Sequence, residues 1–110
     1  MNSIYSIFVI FFQKGLRDGI TFHTILCKEE HENILFGHTN DLFGDSKITN
    51  FQIGDTNLSF IKEYEGRPPI KFSFVKTGGF WTGFYKGEDC GVGKCNCTVS
   101  ALMESFFLNY

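Results

Sequence analysis

Residues 58–76 read LSFIKEYEGRPPIKFSFVK. In the second half, Ile70, Phe72 and Phe74 fall on one side of an extended chain and Lys71 and Ser73 on the other, a period of two that helical spacing does not produce. In the first half, Leu58, Phe60 and Tyr64 share a face opposite Ser59 and Glu63, with Lys62 breaking the apolar face and Ile61 the polar one. Between them, EGRPP is turn chemistry: Gly66 accepts a positive φ, and Pro68 and Pro69 remove ladder donors and stiffen the connection. The stretch predicts two antiparallel strands joined as a hairpin.

The same rhythm extends both ways along the chain. ITFHTILC (20–27) alternates Ile20, Phe22 and Leu26 with Thr21 and His23; KEEHEN (28–33) reads as a charged turn and ILFG (34–37) as a short strand. HTNDLFGDS (38–46) has the Asn, Asp and Gly content of a loop, and ITNFQI (48–53) that of a weaker strand ended by GDTN. Downstream, residues 80–86 follow the Gly78-Gly79 turn, and residues 94–100 follow the Gly91–Gly93 turn, with Cys95, Cys97 and Val99 on one face. The tail ALMESFFLNY (101–110) is compatible with a last strand or a single amphipathic helix. Strands at intervals of about ten residues, with nothing long enough between them for a crossover helix, predict an all-β antiparallel meander.

At 110 residues the chain is one domain by length. Fourteen phenylalanines supply ample material for a core, and ten Lys and Arg against twelve Asp and Glu, without runs of one sign, argue against nucleic acid or anionic lipid as partners. No apolar run reaches the ~18 residues of a membrane span. IYSIFVIFF (4–12) has the length of a signal-peptide core, but no Lys or Arg precedes it and no small-residue cleavage pattern follows. A strand, a short helix and a signal-like segment all stand open for residues 1–19, ahead of a β domain at 20–110. The expected location is cytoplasmic, or secreted if residues 4–12 act as a signal core. The sequons at Asn57 and Asn96 matter only in the second case.

The order Gly37, Asp41, Gly44, then Phe51 and Ile53 before a Gly, then Leu58, Phe60, Lys62, Tyr64 and Gly66, then Ile70, Phe72 and Phe74, then Trp81-x-Gly83 resembles small lipocalin-like proteins, the up-and-down β-barrels of the calycin type. The resemblance covers roughly residues 34–100 and implies a barrel. Such barrels usually open with a Trp-bearing strand, which residues 1–19 lack, so a closed barrel and an incompletely closed half-barrel both stand open.

Candidate chemistry is sparse. Cys90, Cys95 and Cys97, with His38, form a weak metal set, because zinc sites usually draw on a Cys-x2-4-Cys knuckle. Cys95 and Cys97 point the same way from a strand, which favours buried thiols. A disulfide from Cys90 to Cys95, Cys97 or Cys27 is the intermediate reading. His31 lies in a charged turn, and Asp41 and Asp45 near His38 fit local backbone bonding better than acid–base work. Glu63 and Glu65 read as a solvated pair at a strand end. No nucleophile elbow or phosphate-cradling loop is present.

The expectation is therefore a non-enzymatic barrel without a cofactor. It would bind an apolar small molecule or a protein partner through an aromatic-lined interior or mouth, with Phe60, Tyr64, Phe72, Phe74, Trp81 and Tyr85 as the binding residues. The alternatives are a structural module that forms a homodimer through strand edges and, more weakly, a small metal protein. An enclosed apolar cavity above ~300 Å³ would favour a ligand in the interior, and a filled interior would count against it.

Overall fold

The computed structural model describes residues 3–13, 18–28, 34–41 and 43–104; for residues 3, 28, 34–41 and 101–104 the description is of the backbone alone. Eight strands follow one another: β1 (Ser3–Phe11), β2 (Ile20–Lys28), β3 (Ile34–Asp41), β4 (Gly44–Ile53), β5 (Asn57–Tyr64), β6 (Ile70–Thr77), β7 (Phe80–Gly87) and β8 (Gly91–Glu104). Each pairs antiparallel with the next, and β8 returns to β1, closing an up-and-down barrel.

Alternation along the strands sets the two faces. β5 buries Leu58, Phe60, Lys62 and Tyr64 in strict sequence, and β6 buries Phe72 and Phe74 while Lys71 and Ser73 face out. The hairpin read from the sequence is present, with Phe60 opposite Phe72 and Leu58 opposite Phe74. Gly66 in its turn takes φ +74°, the left-handed conformation that glycine adopts without steric cost.

Residues 4–12 form β1 apart from Phe12, the strand among the three readings open for them, and β1 is laddered on both sides. Closure therefore needs no N-terminal Trp: Ile7, Val9 and Phe11 supply the inward side chains there. The loop expected at residues 38–46 is instead a tight hairpin. β3 runs to Asp41 and β4 starts at Gly44, with His38 opposite Lys47 and Asn40 opposite Asp45. Asn, Asp and Gly disfavour strands locally, but the ladder between β3 and β4 overrides that preference. The start of the tail, residues 101–104, continues β8 as strand. The turn expected at 28–33, apart from Lys28, and residues 105–110 lie outside the described residues.

β4 also explains its own weak pattern. Asn50 takes φ +51°, and the register with β5 slips between Thr49 and Gln52. This bulge lets Ile48 and Phe51, three apart, both point into the core.

One stretch of the wall is thinner than the rest. The β2–β3 ladder runs from Ile25–His38 to Lys28–Ile34, so residues 20–24 and 39–41 are not laddered to each other, and a partial seam opens at that end of the barrel.

Phe11, Phe22, Phe51, Phe60, Phe72, Phe74, Trp81 and Tyr85 fill the interior. Phe72 is its hub, with ring centroids 5.0 Å from Phe60, 5.7 Å from Phe22, 5.8 Å from Tyr85 and 6.3 Å from Phe11. The outer wall presents Lys47, Lys71, Lys86 and Lys94, with exposed apolar residues such as Phe8 and Phe84 scattered among them. Outer-membrane barrels carry the reverse arrangement, apolar outside and polar within. Among the described residues, no helix is long and apolar enough to cross a membrane.

Gly83 lies opposite Phe74 in the β6–β7 ladder, and a Cβ there would run into the Ser73 carbonyl on the neighbouring backbone. A Gly83→Ala variant is expected to lose about 3 kcal/mol, the upper end for overpacking, because backbone cannot move aside as a side chain can. Gly79→Ala, whose Cβ meets nothing within 4 Å, is the control and should stay within about 0.5 kcal/mol. Urea unfolding of the two variants measures the difference.

Candidate functional site

At the barrel end where β1, β5 and β7 finish, the rings stop short of the rim. Phe11 and Gln13 from β1 and beyond, Phe43 before β4, Lys62 and Tyr64 from β5, and Arg67 and Pro68 from the following turn surround a cavity of about 90 Å³. Ile70 and Phe72 at the start of β6, Tyr85 of β7, and Asp89 and Cys90 of the last turn complete it. Phe11, Phe72 and Tyr85 form its apolar side: the Phe11 ring meets Tyr85 at 5.6 Å and Phe72 at 6.3 Å, both edge to face. The seam between β2 and β3 opens at this same end.

Two features hold this mouth in shape. The Tyr85 hydroxyl donates to the Phe12 carbonyl at 3.0 Å, tying the end of β7 to the end of β1 past the intervening β8. Gly93, across from Tyr85 in the β7–β8 ladder, leaves room for this ring, which a Cβ would strike. Burial pushes the Tyr85 phenol above its usual range, with the neighbouring thiols of Cys90 and Cys95 acting in the same direction, so it remains a donor.

Lys62 is the unusual member. Its side chain points inward among the rings and is only 1% exposed. Its ammonium lies 3.5 Å from the centroid of the Phe22 ring, 4.9 Å from Tyr64 and 5.8 Å from Phe11. Negative aromatic faces hold a cation, by about 2 kcal/mol or more when water is excluded. The signal was present in the sequence as the residue that interrupts the apolar face of β5. Pattern alone left open whether it faced in or the strand was misphased.

Of the six residues expected to bind, Tyr64, Phe72 and Tyr85 line the mouth, while Phe60, Phe74 and Trp81 pack in the core away from it. Phe11, Phe43, Ile70, Arg67 and Pro68 were not foreseen as mouth residues. They come together only because alternate turns gather at one end of a closed meander. A shallow groove of about 460 Å³ lies on the outer wall beside Val75, Phe84 and Asn96.

The four cysteines are free thiols, so none of the disulfides considered is formed. Cys90 lines the mouth, whereas Cys95 and Cys97 point inward from β8. No group of three His, Cys, Asp or Glu among the described residues could hold a metal ion, and the side chain of His38 lies outside the described set. His23 faces the outer wall, where its Nε2 shares a 2.6 Å hydrogen bond with the Ser6 hydroxyl. Glu63 accepts from the Thr49 hydroxyl at 2.8 Å. Compared with known proteins, the chain matches no family model, no curated protein and no solved structure.

Burial pushes the Cys95 and Cys97 thiols up to about 12 from an ordinary value of 9.0. A thiol held protonated when folded contributes its stability in full below pH 9, where the unfolded thiol is also protonated, and loses it as pH rises toward 12. The urea midpoint should therefore fall above pH 9, and less steeply in Cys97→Ala. Iodoacetamide at pH 8 should modify Cys90 first and leave Cys95 and Cys97 untouched in the folded protein, as read by peptide mass spectrometry.

Proposed function

We propose that this chain is a lipocalin-like binding barrel, without catalytic activity, that holds a small, largely apolar molecule at its mouth rather than in its interior. The observation that carries the reading is the arrangement of the rings. They fill the barrel below Phe72 and leave a concave, mostly apolar recess above it, edged by a few polar groups at Lys62, Arg67 and Asp89. Recesses of that character are the usual form of small-molecule sites.

Volume sets the ligand's size. A space of about 90 Å³ that opens to solvent suits a ring-sized group with one end outside. For comparison, a closed apolar cavity of ~150 Å³ takes benzene. A chain-length lipid would need an interior that the aromatic side chains already occupy. The ionisable groups at the mouth fit a binder better than a catalyst: burial raises both the Cys90 thiol and the Tyr85 phenol, which keeps them protonated and poorly nucleophilic.

Pairing with a second copy through strand edges is the lesser reading. Closure of β8 onto β1 removes the edges it would use, apart from the short seam at residues 20–24 and 39–41.

Ring compounds of six to ten non-hydrogen atoms should bind with Kd from about 2 mM for the smallest to about 0.04 mM for the largest, from about 0.6 kcal/mol per atom. They should shift the NMR signals of Tyr64, Ile70 and Tyr85. Ile70→Trp, which fills the mouth, should weaken them at least about tenfold, and Val75→Trp on the outer wall should not. Shifts confined to the outer wall, or none at all, would remove the mouth as a ligand site.

A further inference from the structure

We infer that the outer wall of β6, β7 and β8 docks a single strand of nucleic acid: bases stack on the exposed rings of Phe80 and Phe84, and Lys71, Lys86 and Lys94 hold the phosphates beside them. This surface lies apart from the mouth and does not depend on a ligand there.

The ladder registers place these residues together. Phe84 faces outward from β7, 56% exposed, with Ser73 of β6 opposite it on one side and Lys94 of β8 on the other. Two residues further along β7, Lys86 lies directly opposite Lys71. All three lysines are exposed, so they stand around one ring on one face. In the other direction along β7, past Thr82, comes Phe80, which is also exposed. At ~3.3 Å per residue the two rings are roughly 13 Å apart, so each meets a different base.

The barrel itself gains nothing from this grouping. A single exposed ring on a sheet needs no special reason. Like charges directly opposite each other in a ladder are destabilising, however, and Lys71 faces Lys86 with Lys94 on the diagonal. The strands supply no compensating acid: β6, β7 and residues 91–100 of β8 contain four lysines and no Asp or Glu. The fourth, Lys76, leans over the Trp81 ring at 5.8 Å. Of the acids next to this wall, Glu88 is exposed in the β7–β8 turn and Asp89 lines the mouth. Glu63 of β5 accepts from Thr49 of β4, on the side away from β6. The overall balance of charge argues against a polyanionic partner, but it averages over faces, and here cations are gathered on one.

Charge and shape together select the partner. Lysines meet phosphates and rings meet the flat faces of bases, the combination by which single strands are held with little regard to sequence. A shallow groove of about 460 Å³ lies beside Phe84, where Ser73, Thr82 and Asn96 offer hydrogen-bond donors and acceptors. A lipid surface is met by a continuous apolar face, whereas here a polar residue, Thr82, separates the two rings. A duplex keeps its base faces inside the stack and has none to offer.

Fluorescence anisotropy of the full chain with a labelled oligothymidylate of about twelve nucleotides, within the site size usual for such surfaces, measures the docking. At about 50 mM salt the Kd should be on the order of 10 μM, and log affinity should fall against log salt with a slope of about −2, as for three phosphate contacts. Phe84→Ala should weaken binding about tenfold or more, and Lys86→Gln should flatten the slope by about 0.7. Both side chains are exposed, so both variants should keep the urea midpoint of the unmodified protein. In the unmodified protein the oligonucleotide should shift the ring signals of Phe80 and Phe84 and leave that of buried Phe72 in place. A duplex of the same length should bind at least about tenfold more weakly, despite its denser charge. Equal or tighter binding of the duplex, unchanged affinity in Phe84→Ala, or no binding of the oligothymidylate would overturn the inference. So would binding to phosphatidylserine vesicles in place of the single strand, which would make the wall a membrane-facing surface.

Discussion

The packing of Phe72 against Phe60, Phe22, Tyr85 and Phe11 joins strands from all round the barrel wall through one ring. An eight-stranded barrel has an interior just wide enough for side chains to fill or for one small ligand to occupy, so rings and ligand compete for the same volume. Here the rings have it. Each buried phenylalanine contributes roughly 1.5–3 kcal/mol, and edge-to-face neighbours add to that. What remains for a ligand is the space beyond the last ring layer, where the turns after β5 and β7 and the end of β1 rise above the core.

Small residues at particular places in the wall make this filling work. Gly93 leaves the room in which the Tyr85 ring lies, and the ring's hydroxyl then reaches the Phe12 carbonyl. Gly83 lets β7 approach β6 where the side chain of any other residue would collide with backbone. The bulge at Asn50 rotates β4 so that Phe51 as well as Ile48 reaches the core, where Phe51 packs 5.4 Å from Tyr5 of β1. A local departure from regular geometry thus serves a contact across the barrel. The same economy makes Lys62 conspicuous, as the one charged side chain buried among the described residues.

Much of this was legible in the chain. Period-two alternation in residues 58–64 and 70–76 gave both strands and their hairpin, and it gave the facing more clearly in 70–76, since Lys62 and Ile61 break the pattern in 58–64. Cys95 and Cys97, two apart on a strand, were readable as neighbours on one face, and both are inward. The stretch 38–46 was not legible as strand. Its Asn, Asp and Gly residues favour turns when judged alone, and the stretch folds back on itself as a hairpin, a pairing that composition does not record. Residues 48–53 looked weak for a related reason, since a bulge breaks the alternation on which a sequence reading relies.

The candidate site divides along the same line. Sequence determined that Tyr64 and Phe72 lie on the apolar faces of their strands and that Lys62 falls in the row of Tyr64, and it left open whether Lys62 itself faced in. Only the tertiary structure decided which inward residues sit at the mouth and which lie in the core. It alone brought Phe11, Arg67, Ile70 and Asp89 to one opening, from the end of β1 and from two separate turns. The physical reason is that alternation records which side of the wall a residue faces, whereas its depth in the barrel depends on register and closure, which are properties of all eight strands at once.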